Sequence, residues 1–370
     1  MTEFAFELAT PADDAAILRL LRDNPVPGSV TISYERAPSY FLGCEVLGDG
    51  CQTLVARHLP SGAVAAMACR ALRRRFINGR PETVGYLGQL RVDHRFRARW
   101  LVAGGFRCLW ELHQDRRVQG YLTTIIEGNR EAEGVLVTRA RRHFPRYRPL
   151  ERLHTLALHS RDTGQPASAG CEIRRGDDID LEDLVAFLNR QGSLRQFFPV
   201  LTVADFGAES GLLRGLGRQD LLIALRRGRL VGILGLWEQG GFKQSVVRGY
   251  QGLLRWGRPL YNGYNRLRGL LPLPPPGAVI SMGYAALHCI AENDAAVFDL
   301  LLRRQLRTAR ERQLAFLMAG FSAGDPLLGV ARRYSHIDYV SRLYTVGWDN
   351  GSTFHDRLDG RNSQVEIATL

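Results

Sequence analysis

The residues whose types and spacing could do chemistry lie between Tyr86 and Asn129. An apolar strand, Tyr86-Leu87-Gly88-Gln89-Leu90-Arg91-Val92, runs into the basic turn Arg95-Phe96-Arg97-Ala98-Arg99. The pattern then predicts an amphipathic helix over Leu101–Leu112 and a second strand from Tyr121 to Glu127, which stops at Gly128-Asn129. A helix that opens straight out of a strand presents unpaired backbone N–H groups in its first turn. The helix dipole and the nearby arginines add positive potential there, so the turn predicts an anion site suited to a diphosphate.

The rest of the chain must build the frame for that turn. Its 370 residues favour two domains, since single cores rarely grow past about 250–300 residues. Lys+Arg number 49 against 37 Asp+Glu, for a net charge of +12, and Lys243 is the only lysine. Arginine grips phosphate through a planar fork, which would suit a polyanionic partner. A general bias toward arginine on solvated faces accounts for the bulk charge as well. The six cysteines include no CxxC pair and have no histidine at ligand spacing, so no metal is expected. The opening Met1-Thr2-Glu3-Phe4 carries an acid where a signal peptide needs bases, and no run is long and apolar enough to span a bilayer. The expectation is a soluble chain in a reducing cytoplasm, with no membrane partner.

Two halves echo each other. Ser160 to Gly170 is polar and rich in small residues, and reads as a linker (160–170) between domains over 1–159 and 171–370. The first half opens with a strand from Phe4 to Ala9 and a helix start at Thr10-Pro11-Ala12-Asp13. The second opens with Cys171 to Arg174 and Asp180 as N-cap. Each continues with a strand–turn–strand unit, Thr53–Arg57 with Ala63–Ala68 and Leu221–Leu225 with Leu230–Leu234. Each then has a helix before a strand: Leu101–Leu112 before Tyr121, and Ala295–Arg307 before Gln313. The second half also inserts Lys243 to Gly277, and Asp349 to Leu370 is expected to add a strand or a tail.

This order of elements resembles the GNAT superfamily of N-acetyltransferases, over roughly Phe4 to Leu158 of the first half. The fold class expected is α/β (α+β with a mixed sheet), as two tandem GNAT-like domains with the second a degenerate copy. The family motif Arg/Gln-x-x-Gly-x-Gly/Ala falls on Arg97, Trp100 and Val102, so both small positions depart from the pattern. The resemblance implies acetyl-CoA as co-substrate. Its pyrophosphate would sit on the amides of Arg97, Ala98, Arg99, Trp100, Leu101 and Val102. Backbone N–H groups at Leu90, Arg91 and Val92 would face the thioester. Asn129, in Asn129-Arg130-Glu131-Ala132, takes the family's place beside the pantetheine arm and is also a natural N-cap. The family's general-acid tyrosine falls on Leu136.

The reaction implied is direct attack of an amine on the thioester, which needs a base, oxyanion donors and orientation. Glu127 is the candidate base, with an exposed structural carboxylate as its other reading; Tyr86 and Tyr147 are further candidates. The acceptor would be a small-molecule or peptide amine. A non-catalytic acyl-CoA-binding protein and an acyl or aminoacyl transferase on an RNA-linked or thiol substrate remain as alternatives. The basic run Arg139, Arg141, Arg142, His143, Arg146, Arg148 and Arg152 could meet an anionic substrate, the nucleotide's phosphate or RNA, or form a solvated loop face.

Overall fold

In a computed structural model, which describes residues 3–96, 99–137, 144–160, 169–207, 209–267, 271–348 and 354–370, the two halves share one sheet. The first half runs β1 (Phe4–Leu8), α1 (Asp14–Asp23), β2 (Val30–Glu35), α2 (Tyr40–Glu45), β3 (Gly50–His58), β4 (Val64–Ile77) and β5 (Arg80–Val92). It continues with α3 (Arg99–His113), β6 (Tyr121–Ile126), α4 (Arg130–Ala132) and β7 (Arg146–His159). The second half runs β8 (Glu172–Arg175), α5 (Leu181–Gly192), β9 (Leu221–Arg226), β10 (Arg229–Trp237), β11 (Gln244–Tyr250) and α6 (Leu253–Leu267). It closes with β12 (Met282–Ile290), α7 (Ala295–Glu311), β13 (Phe316–Ser322), α8 (Leu328–Ala331) and β14 (His336–Gly347).

Local chemistry fixes the helix starts. Asp13 accepts from the Thr10 N–H at 2.9 Å, and Asp180 accepts from the amides of Glu182 and Asp183 at 2.8 and 3.2 Å. Strand order in the 12-stranded sheet is β1-β3-β4-β5-β6-β14-β7-β13-β12-β10-β9-β8. The halves therefore exchange their last strands. Strand β14 of the second half lies beside β6, and β7 of the first half lies beside β13. Between them, β7 and β14 pair antiparallel from His336↔Leu158 to Gly347↔Arg146. Separating the halves would break three ladders of this sheet at once. Of the stretch read as a linker, 161–168 lie outside the described residues.

Each half keeps one parallel step. Gly85 and Tyr86 of β5 pair with Tyr121 and Leu122 of β6, with α3 as the connection. Met282, Gly283 and Tyr284 of β12 pair with Phe316, Leu317 and Met318 of β13, with α7 as the connection. Helix α7 turns Val297, Phe298, Leu301, Leu302 and Leu306 into a core against β10, β12 and β13.

Two features departed from the sequence expectation. Strand β11, inside the stretch read as an insertion, pairs antiparallel with β2 in a small second sheet that ties the halves together. Within Asp349–Leu370, the described residues 354–370 form neither a strand nor a loose tail. Val365 and Phe354 pack with Tyr86, Leu122 and Leu343, while Ala368 packs in the core of the second half.

Candidate functional site

The parallel step between β5 and β6 is short because the strands part after it. Gly85 is required where they meet: a Cβ there would stand 2.1 Å from the Tyr121 ring. Past Leu122, a side chain replaces the ladder, with the Thr123 hydroxyl donating to the Leu87 carbonyl at 2.7 Å. Strand β5 also bulges. Met67 pairs with Arg91 and Cys69 with Gly88, so Ala68 of β4 faces both Gln89 and Leu90. Gln89 takes a left-handed φ of 57°. A bulge of this kind releases backbone groups from the ladder at a place where a ligand can use them.

Two adjoining cavities open at this wedge. The inner one, about 290 Å³, is mainly apolar and lies between β4, β5, β6 and α3; Met67, Leu87, Gly105, Phe106, Leu109 and Ile125 are among its walls. The outer one, about 800 Å³, is more polar and reaches Asp23, His94, Glu127 and Glu131. Leu90, Arg91, Val92, Val102, Asn129 and Leu136 line both, so the two are continuous. Together they form a polar groove leading to an apolar pocket.

Most of the residues singled out in the sequence meet here. Leu90, Arg91, Val92, Val102 and Asn129 stand where groove and pocket join, and Leu101 lines the pocket. Helix α3 begins at Arg99-Trp100. Arg97 and Ala98 lie outside the described residues, as do Arg139, Arg141, Arg142 and His143 of the basic run. The Asn129 side chain accepts from the Ala132 N–H at 3.1 Å, the capping role open to it from its position. Leu136 lines the pocket where the family tyrosine would fall.

Glu127 borders the groove, but its carboxylate is engaged. Arg152 donates to it at 2.9 Å and Arg342, on the exchanged strand β14, at 3.3 Å. Arg152, followed by Arg342, holds this carboxyl below the usual range. A carboxylate stabilised in its ionised form is a weak proton acceptor. Arg148, also from the basic run, pairs with Asp356 at 2.6 Å. Burial pushes both Tyr86 and Tyr147 up, although the Tyr86 hydroxyl shares a 3.2 Å hydrogen bond with Thr124.

Sequence reading missed part of the wall. Tyr34 and Val26 line the pocket from the segment around β2, where a short strand with few apolar residues gave little signal beyond the period-two spacing of Val30, Ile32 and Tyr34. Cys69 also lines the pocket, and its sulfur lies 3.0 Å from that of Cys51 on the neighbouring strand. Among the described residues no group of His, Cys, Asp and Glu is arranged to hold a metal.

The second half repeats the wedge and fills it. Leu287 has a φ of 51° in a bulge where Leu234 faces both Leu287 and His288. Its N–H donates to Oε2 of Glu366 at 2.8 Å, and Gln364 donates to the His288 carbonyl at 2.6 Å. The chain's own final segment thus occupies the position that stands open in the first half.

No protein-family model matches the sequence, and no match is found among curated proteins. Solved structures do match. N-myristoyltransferase of Saccharomyces cerevisiae with bound myristoyl-CoA superposes with a TM-score of 0.64 at 11% identity, over 99% of this chain and 86% of that one. A GCN5-related N-acetyltransferase from Sphaerobacter thermophilus gives 0.58 at 15% identity, over 96% and 98%. A GCN5-related glucosamine N-acetyltransferase region of a fungal multi-domain GH3 beta-N-acetylglucosaminidase gives 0.59 at 12% identity, over 92% and 38%. The fold is that of the GNAT superfamily. It is laid out as a mixed sheet with two related halves, and the first two of these likenesses cover nearly the whole of this chain.

Proposed function

We propose that this chain is an acyl-CoA-dependent N-acyltransferase whose reacting site is the open wedge of the first half. The observation that carries the reading is the contrast between the two wedges. The bulge at Leu287 is closed by a carboxylate oxygen of the same chain, whereas the bulge at Gln89 faces a groove and an apolar pocket. A backbone N–H at such a bulge suits an oxygen that gains negative charge, as a thioester oxygen does during acyl transfer.

In this arrangement the diphosphate of CoA lies at the start of α3, where Arg99, Trp100, Leu101 and Val102 supply first-turn amides, with Arg97 and Ala98 just before them. The pantetheine arm follows the groove past Asn129, and the thioester reaches the amides of Gln89 to Val92. The amine nitrogen bonds to the thioester carbon, the carbon–sulfur bond breaks, and the amine's proton leaves as CoA thiolate departs. Glu127 takes the role of an anionic anchor for the incoming amine, whose proton passes through water to the departing thiolate, since Arg152 and Arg342 occupy the Glu127 carboxylate directly.

The donor is not restricted to acetyl-CoA in this reading. The walls of the pocket are mostly apolar, and about 290 Å³ exceeds what a two-carbon group fills, so a longer acyl chain suits it. The likeness to the myristoyl-CoA-bound enzyme supports that choice. The test is release of CoA thiol from acyl-CoAs of increasing chain length against a panel of small amines, amino sugars and peptide N-termini, with thermal stability followed in parallel. Turnover with a longer acyl donor supports the reading. Stabilisation by acyl-CoA without turnover across the panel would assign a binding role instead, and neither effect would remove both.

A further inference from the structure

Helix α6 turns its apolar side to solvent. Leu253, Trp256, Leu260 and Leu267 recur at spacings of three, four and seven, which makes one stripe on a helix of about 3.6 residues per turn. They are 93%, 79%, 83% and 88% exposed, and Tyr261 and Tyr264 are exposed with them. The inward side is polar and fixed by the chain's own return. Asn262 donates to the Leu273 carbonyl at 3.2 Å and accepts from the Leu273 N–H at 2.8 Å, and Tyr250 donates to the Pro274 carbonyl at 2.6 Å. These bonds hold the apolar stripe outward.

Charge selects the occupant. From Leu253 to Gly277 the chain carries four arginines and no acidic residue. Arg255 and Arg266 are exposed on α6 itself, and Arg255 lies over the Trp256 ring at 5.2 Å. An apolar stripe with Leu and Trp, flanked by exposed arginines, is the pattern of a helix lying in the plane of a bilayer and drawn there by anionic headgroups.

We propose that α6 seats this protein on an anionic lipid surface. Attachment is peripheral, because no helix among the described residues is long and apolar enough to cross a membrane. This departs from the expectation of no membrane partner, which rested on searching for spans; a stripe interrupted by polar residues at every turn leaves no mark in such a search. The surface is joined to the candidate site, since β11 before α6 pairs with β2, whose Tyr34 lines the apolar pocket. Delivery of an acyl chain between lipid and pocket would follow from that connection, a step that rests on the acyl-transfer reading.

The test is flotation of the full chain with vesicles, without any acyl-CoA, so that its failure is separate from failure of the transfer reaction. Wild type is expected to float with vesicles of phosphatidylcholine and phosphatidylglycerol, and to lose binding with phosphatidylcholine alone or at high salt. The double variant L260E/L267E, with an unchanged circular dichroism spectrum, is expected to bind about tenfold less at equal lipid. The tryptophan emission that W256F removes should shift to the blue on anionic vesicles. No flotation, or flotation unaffected by L260E/L267E, would overturn the proposal. So would concentration-dependent dimers abolished by L260E/L267E in a chain that ignores vesicles, which would assign the stripe to a second copy.

Discussion

Gln89 and Leu287 hold the same left-handed backbone conformation, with φ of 57° and 51°, at matching places in β5 and β12. Each comes three residues after its strand's parallel pairing ends, at Tyr86 and at Tyr284. Each sits opposite a single residue of the hairpin strand, Ala68 or Leu234. One bulge binds a carboxylate of its own chain and the other opens on a groove. At Leu287 this conformation presents its N–H to a carboxylate oxygen.

Removing the internal occupant should cost stability and spare the site. Glu366→Ala leaves the buried Leu287 N–H unpaired, for an expected loss of about 1–3 kcal/mol. Urea denaturation measures that loss, while acyl-CoA affinity should stay within about twofold of wild type because the groove lies in the other half.

The apolar pocket should set donor length. Gly105 lines it from α3, and a Cβ built there meets nothing within 4 Å. Gly105→Leu should therefore fill the pocket without straining the helix, where glycine is the weaker helix former. Relative kcat/KM for long against short acyl-CoAs should fall by roughly tenfold or more, with no loss of thermal stability.

Much of this frame was legible in the sequence, for physical reasons that differ by element. The strand Tyr86–Val92, helix α3 and strand β6 show because their apolar periods are long and sharply bounded. The N-caps at Thr10 and Asp180 show because capping uses residues three apart. The exchange of β7 and β14 did not show, since strand pairing across about two hundred residues leaves no local trace. Nor did the hold of Arg342 on Glu127, which depends on that exchange. The Gln89 bulge was hidden because glutamine has no special preference for a left-handed φ.

Glu127 gives a pH prediction. With its pKa lowered by Arg152 and Arg342, this carboxylate is ionised throughout the range above its ordinary value of 4.5. The rise of kcat/KM between about pH 6 and 9 should follow the acceptor amine's own deprotonation and be kept in Glu127→Gln. That variant should raise the acceptor KM by about five- to tenfold and change kcat less, as loss of an anchoring charge does. A lost alkaline rise in kcat would instead make Glu127 the base.

Lys243 couples pH to stability. Burial, reinforced by Arg36, lowers its ammonium to about 7, and its amine donates to the carbonyls of Ala368 at 2.9 Å and Leu370 at 3.3 Å. The unfolded chain keeps that proton to about pH 10.4, so between about pH 7 and 10.4 it binds more protons than the folded one. The penalty is complete below about pH 7 and fades as pH rises through this window. Stability of wild type relative to Lys243→Met should therefore increase from pH 7 to 9.5, as read by urea midpoints at each pH.

The central claim is that the open wedge of the first half holds the acyl donor. A structure of the chain with a medium-chain S-(2-oxoalkyl)-CoA, which keeps the carbonyl and resists transfer, tests it most directly. The account places the ketone oxygen within hydrogen-bond distance of an amide between Gln89 and Val92, the diphosphate at the first turn of α3, and the alkyl chain among Gly105, Phe106 and Leu109. A ligand bound in the second half in place of Glu366, or one whose alkyl chain lies outside the apolar pocket, would contradict it.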